Sequence, residues 1–241
     1  LHYHHCSPSS RRRRFCFIAM KRAILVANGE MLPGTALSTA WLPAHLVIAA
    51  DGGARHCLAL GLRPDIVIGD FDSLEPELLA RLEAQGVTLL RYPSQKDETD
   101  LELAFLHALS RGVQEIIVLG ALGARWDMTL ANLLLPVQER FAALQVRFYD
   151  GNQEIRLLCG GQSLALQGQP GDTISLVPLC GDASGITTQG LEYPLAGEAL
   201  PFGSPRGVSN VLLGTSAQIN LSEGILACMH IRHQPTEGNT L

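Results

Sequence analysis

The chain has 241 residues, a formal net charge of −5, 46% apolar and 17% charged residues. No uninterrupted apolar run approaches the roughly 20 residues that a bilayer-spanning helix needs, and the acidic balance argues against nucleic-acid binding through a basic surface. The expectation is a soluble globular protein with neither membrane nor nucleic acid as partner.

The chain opens on LHYHHCSPSSRRRRFCFIA, which holds four arginines and no acid. Its RRRF resembles a twin-arginine signal, but Lys21 and Arg22 cut the following apolar stretch short and no small-residue cleavage site follows. Residues 1–19 are therefore expected to be a disordered leader. The six cysteines are scattered without C-x-x-C or zinc-ligand spacing, as for reduced thiols in a cytoplasmic protein.

From residue 20 to 150, apolar β-branched runs alternate with amphipathic stretches. AILVANG, LVIAAD, DIVIGD, VTLLRYP, EIIVLGA and VRFYD read as strands; EPELLARLEAQG, DLELAFLHALSRG and DMTLANLLLPVQERFAAL read as helices. That alternation predicts a doubly wound α/β domain with a mostly parallel sheet. From 151 to 233 long helical periods vanish. Short alternating runs such as GDTISLVPL and NVLLGTSAQINLS, separated by Gly and Pro, predict an antiparallel β-sandwich. Residues 234–241 read as a flexible tail.

In an open α/β sheet, ligands bind beyond the carboxyl ends of the strands, and the acids of this half cluster there. Asp51 closes LVIAAD and precedes Gly52 and Gly53; Asp70 closes DIVIGD, with Asp72 two residues on; Asp97 and Asp100 lie in QKDETDLELA; Asp127 follows GALGARW. Helix capping accounts for several of these singly, and Thr99 with Glu102 fits a capping box. Capping does not account for acids at the ends of two successive strands plus another two residues later. Clustered carboxylates raise one another's pKa unless a cation neutralises them. Mg²⁺, which takes oxygen ligands and is often shared with substrate phosphates, is the natural neutraliser. Lys96, one of only two lysines, and Arg125 add positive charge to the same crevice. Walker A, G-x-G-x-x-G, G-x-S-x-G and H-E-x-x-H patterns are all missing, so a nucleotide must be held by other means.

DGG (51–53), GDFDS (69–73), QKDETDLELA (95–104), GALGARWD (120–127) and GVSN (207–210), in this order and spacing, resemble the thiamine pyrophosphokinase family. The resemblance implies a homodimer with its active site between subunits, each pairing an α/β domain with a β-sandwich. It implies transfer of the pyrophosphoryl group of ATP to the hydroxyl of thiamine, giving thiamine diphosphate and AMP. Carried over by motif, Asp70, Asp72 and Asp100 would hold Mg²⁺ on the ATP phosphates, while Asp51 and Asp97 support that cluster, Asp97 as a further catalytic acid and Asp51 with Gly52 against the nucleotide. Gln95, Lys96, Arg125 and Asp127 would lie against nucleotide or phosphate; Ser209 and Asn210 would bind thiamine. The family often has Gly-Gly-Arg and a later His where this chain has Gly123-Ala124-Arg125 and Met128, and no tryptophan follows residue 126 to stack on thiamine. The alternatives weighed are another Mg²⁺-dependent diphosphokinase, for example one acting on a hydroxymethylpterin, and a noncatalytic nucleotide-binding protein.

Overall fold

The computed structural model describes residues 21–32, 44–123 and 125–233. The leader and the tail read from the sequence lie outside the described residues.

Six strands make the α/β half: β1 (Arg22–Val26), β2 (Leu46–Ala50), β3 (Ile66–Gly69), β4 (Thr88–Arg91), β5 (Glu115–Leu119) and β6 (Gln145–Asp150). They pair in parallel in the order β6-β5-β1-β2-β3-β4. The chain runs outward from β1 to β4 and then returns to β5 on the other side of β1. The carboxyl ends of β1, β2 and β5 therefore form a switch point, where the connections leave in opposite directions and open a crevice. Alternation along each strand supplies two cores. Ala23, Leu25, Ile48 and Ile68 face α3 (Asp100–Ser110) through Leu101, Ala104 and Phe105. Ile24, Val26, Ala49 and Val67 face α1 (Gly53–Ala59) and α2 (Pro76–Ala84) through Cys57 and Leu82.

The helix predicted from DMTLANLLLPVQERFAAL is shorter than its apolar pattern. Helix α4 spans Trp126–Leu134 and gives way to 3₁₀ turns at Leu135–Val137 and Glu139–Phe141. Pro136 ends the α-helix because it lacks an N–H to donate and its ring crowds the preceding turn.

The C-terminal half contains β7 (Gln153–Cys159), β8 (Ser163–Gln167), β9 (Thr173–Pro178), β10 (Ala183–Gln189), β11 (Ala196–Leu200), β12 (Asn210–Val211), β13 (Ser216–Asn220) and β14 (Ile225–Ile231). All their pairings are antiparallel. Strands β11-β10-β13-β8 form a separate four-stranded sheet. Strands β12-β9-β14-β7 instead join the parallel sheet, because β7 turns back at Gly151 and pairs antiparallel with β6. One ten-stranded sheet thus runs through both halves, and its antiparallel part supplies one layer of the sandwich. Leu158, Ile174, Leu176, Leu226 and Cys228 on that layer pack against Leu166, Ile186, Ala217 and Ile219 on the other. Where the halves join, two buried glutamates are each bridged by two guanidiniums. Glu115 sits between Arg22 and Arg147 at 2.6 and 2.5 Å, and Glu154 sits between Arg156 and Arg232. Each trio lies within its own half, and breaking one of its pairs would leave a buried charge without its full complement of partners.

Candidate active site

A cavity of about 290 Å³ opens at the switch point. Its walls are Ala27–Gly29 after β1, Ala50 and Asp51 after β2, Thr99–Leu101 at the start of α3, and Gly120, Ala121, Gly123, Arg125, Met128 and Asn132 around α4. Close backbone approach makes this shape possible. A Cβ on Gly52 would lie 2.2 Å from Asn28 Oδ1, and one on Gly53 would lie 2.0 Å from the Val26 carbonyl oxygen. Bare glycines let α1 start directly against the end of β1.

Asp51 leaves β2 in the left-handed conformation, φ 45°, and is only 8% exposed. Its Oδ2 accepts a hydrogen bond from Ser73 Oγ at 2.5 Å, while its Oδ1 is buried with no hydrogen-bond partner. Phe71 is also left-handed, φ 66°, and its buried ring lies under the Arg91 guanidinium at 4.7 Å. Anchoring Phe71 inward leaves the acids on either side of it to face the crevice. Oxygens of Asp51, Asp70 and Asp72 lie within 4.8 Å of one another. The Asp72 N–H donates to Asp70 Oδ1 at 3.2 Å and holds the Asp70 carboxyl below its ordinary range. The neighbouring Asp70 charge pushes Asp72 the other way, above its ordinary range. The triplet therefore carries unbalanced negative charge and one buried oxygen without a donor. Both features fit an oxygen-seeking divalent cation.

Asp100 sits outside this close triplet. Lys96 Nζ, from the loop four residues before it, reaches its Oδ1 at 3.1 Å and also donates to the Pro93 carbonyl at 3.1 Å. Burial raises the Asp100 pKa; Lys96 opposes that rise, and the Asp51 and Asp70 charges add to it. Asp100 thus lies in the field of the acids and lines the cavity, with its charge already engaged. Thr99 caps α3 by accepting from the Glu102 N–H at 3.2 Å. Gln95 and Asp97 are exposed on the loop between β4 and α3. Arg125 and Asp127 form an exposed ion pair at 2.5 Å at the head of α4, which lowers the Asp127 pKa. Six lining residues lie outside the sequence motifs: Ala27, Asn28, Gly29, Ala50, Met128 and Asn132. Buried Asn132 Nδ2 donates to the Ala121 carbonyl at 2.7 Å and fixes the loop above β5.

Ser209 and Asn210 lie elsewhere. Strand β12 stands eight positions from β3 in the shared sheet, roughly 38 Å at ~4.8 Å per strand. Ser209 is exposed and left-handed, φ 63°, and its N–H donates to the buried Ser175 Oγ at 3.0 Å. The Asn210 side chain is engaged by main chain: Oδ1 accepts from the Tyr193 and Val211 N–H groups, and Nδ2 donates to the Tyr193 carbonyl at 2.7 Å. This clamp fixes the Tyr193 main chain against Asn210, and the Tyr193 side chain is 65% exposed. In the sequence, Tyr193 stands out only as one of few aromatics.

An acid-lined cavity at the switch point of a doubly wound sheet, with Arg125 on its wall and Lys96 paired to the lining Asp100, has the charge arrangement that suits a phosphate-transferring class of protein. Residues 37–148 match the family model for the thiamin pyrophosphokinase catalytic domain, and residues 163–226 match that for the thiamin pyrophosphokinase vitamin B1 binding domain. Thiamine pyrophosphokinase from Bacillus subtilis is 30% identical over 210 residues, covering 86% of this chain and 97% of that protein. The crystal structure of the B. subtilis protein superposes with a TM-score of 0.78 at 28% identity, over 89% of this chain and all of that one. A thiamin pyrophosphokinase family protein from Enterococcus faecalis gives 0.79 at 28% identity with the same coverage. The chain belongs to the thiamine pyrophosphokinase family.

Proposed function

We propose that the protein transfers the pyrophosphoryl group of ATP to the hydroxyl of thiamine, forming thiamine diphosphate and AMP. The observation that carries this reading is the Asp51, Asp70 and Asp72 triplet, with an unpartnered buried oxygen, at the mouth of a cavity in a chain of this family. In the reaction the thiamine hydroxyl oxygen bonds to the β-phosphorus of ATP. The bond from that phosphorus to the α,β-bridging oxygen breaks, AMP leaves with that oxygen, and the hydroxyl proton passes to solvent.

Asp51, Asp70 and Asp72 suit Mg²⁺, with Asp100 as a further acid reached once a ligand draws Lys96 toward phosphate. Bound there, Mg²⁺ would neutralise phosphate charge and polarise the phosphoryl oxygens. Lys96 and Arg125 add positive charge, Gln95 and Asp97 flank the phosphate path, and Gly52 leaves room for the Asn28 side chain at the cavity wall. Asp127 orients Arg125 through their ion pair. Phosphoryl transfer through a loose transition state needs positioning more than a strong base, so the acids serve mainly to hold charge and geometry.

Thiamine is a flat cation, and the exposed Tyr193, whose main chain Asn210 holds, offers it a π face. Because Ser209 and the acids lie eight strands apart in one chain, they meet one substrate only if a second copy supplies one half. The working unit is then a homodimer with shared sites. Exposed large apolar residues support this: Trp126, Leu130 and Leu134 lie on α4, whose first half lines the cavity, while Val208 precedes Ser209 and Tyr193 is held by Asn210. The N-terminal α/β part to residue 150 would carry nucleotide, and the sandwich from 151 to 233 would carry thiamine. The described free cysteines suit a reducing cytoplasm. Among the described residues no helix is long and apolar enough to cross a membrane.

Purified protein given ATP, Mg²⁺ and thiamine is expected to form AMP and thiamine diphosphate in equal amounts. EDTA should abolish turnover and added Mg²⁺ should restore it. Production of ADP, or turnover without thiamine, would refute the reading.

A further inference from the structure

Behind Ser209 lies a group of buried polar residues that neither the nucleotide cavity nor the acid triplet uses. Asp172 is fully buried just before β9, and His230, 2% exposed, sits near the end of β14. Asp172 Oδ2 accepts from His230 Nε2 at 2.7 Å and from the Gln169 N–H at 2.9 Å, while Oδ1 accepts from the His233 N–H at 2.9 Å. Burial alone would raise the Asp172 pKa, but these three donors outweigh it and hold the group as a carboxylate. The proton of the pair therefore rests on His230 Nε2.

The same turn grips β12 through the main chain. The Leu212 N–H donates to the Asp172 carbonyl and the Gly171 N–H donates to the Leu212 carbonyl, each at 2.9 Å. Gly168 has no room for a side chain, since a Cβ there would lie 2.5 Å from Asp172 Oδ2 and 2.9 Å from His230 Nε2. Three residues into β9, Ser175 Oγ receives the Ser209 N–H. Ser209 is thus held from both sides, by Ser175 directly and by the Asp172–Leu212 clamp just beyond Asn210. A non-glycine residue adopts a left-handed conformation at an energetic cost and keeps it only where neighbours overdetermine it.

We infer that Ser175, Asp172 and His230 are positioning residues that hold Ser209 and the adjoining Tyr193 clamp in the geometry that receives the organic substrate. The inference rests on the thiamine reading for the identity of that substrate, but its structural content does not. The group touches neither substrate nor the reacting atoms. It acts on affinity for one substrate, and the nucleotide half of the same chain lies many strands away.

The test uses the full chain with Ser175→Ala, His230→Phe and His230→Gln. Ser175→Ala and His230→Phe are expected to raise the KM for thiamine about tenfold, as for loss of one well-placed hydrogen bond. The KM for ATP and kcat should stay within about twofold. His230→Gln, which keeps a donor for Asp172, should recover most of the lost affinity. Amide hydrogen exchange across 207–212 should quicken in the first two variants while that of α3 is unchanged. Folded variants with unaltered thiamine KM and unaltered exchange would overturn the inference, as would equal losses toward ATP and thiamine. If His230→Phe fails to fold, Ser175→Ala alone decides. If the wild type does not turn over thiamine at all, the substrate reading fails, and exchange across 207–212 decides the positioning role by itself.

Discussion

Asp51, Phe71 and Ser209 are the non-glycine residues with positive φ among the described residues, and each belongs to a proposed half-site or lies within one. Such strain survives where the surroundings fix it, and it concentrates where a side chain must be aimed. At Phe71 the aim is indirect: the ring goes inward beneath Arg91, so Asp70 and Asp72 face out together. Asp72 is the acid most exposed to its neighbours' charge, and its raised pKa registers repulsion that a cation would relieve. Asp72→Asn is expected to lower kcat at least 100-fold with little change in Tm, because an exposed carboxylate adds little to stability but much to metal-held charge. Activity within a few-fold of wild type would remove Asp72 from the site. Asp51 and Asp70 were legible in the sequence because each ends an apolar run, and Asp72 because it adds a second acid two residues on. Asn28, Asn132 and Tyr193 were not, since their roles depend on which loops meet in space. The sequence also grouped Asp100 with Asp70 and Asp72, whereas the close triplet contains Asp51 and Lys96 engages Asp100.

At the level of elements, the contact of α1 with β1 builds one wall of the cavity. A glycine replaced by alanine in a helix ordinarily stabilises it by about 1 kcal/mol. At Gly53 the sign should reverse, because the new methyl would meet the backbone oxygen of Val26, which cannot move aside as a flexible side chain would. Gly53→Ala is expected to cost about 1–3 kcal/mol, read as a lower Tm, and to weaken ATP binding as α1 shifts. A higher Tm would contradict this packing. The alternating strands and helices of the first half were readable because each element carries its own period. The early end of α4 at Pro136 needed only one residue to be weighted more heavily. The continuity of the sheet across Gly151 was not readable: pairing of β7 with β6 is local, but pairing of β7 with β14 and of β14 with β9 joins residues up to 78 positions apart, between Gln153 and Ile231.

For the molecule as a whole, one continuous sheet carries the two half-sites at opposite ends. That rigid spacing prevents a single chain from bringing its own Ser209 to its own acids, and it allows a two-fold partner to do so twice. The exposed apolar residues of α4 and of the Ser209 surround would then be covered in the same assembly. The central claim is that thiamine diphosphate is made where the acids of one chain meet the sandwich of another. It is tested most directly by co-expressing Asp72→Asn and Asn210→Ala chains and assaying at a thiamine concentration that neither homodimer can use. Half of randomly formed dimers are mixed, and each mixed dimer has one site built entirely from intact halves. The co-expressed protein should therefore show about a quarter of wild-type thiamine diphosphate synthesis. Activity no greater than that of the two parent variants would contradict the account and assign the whole site to a single chain.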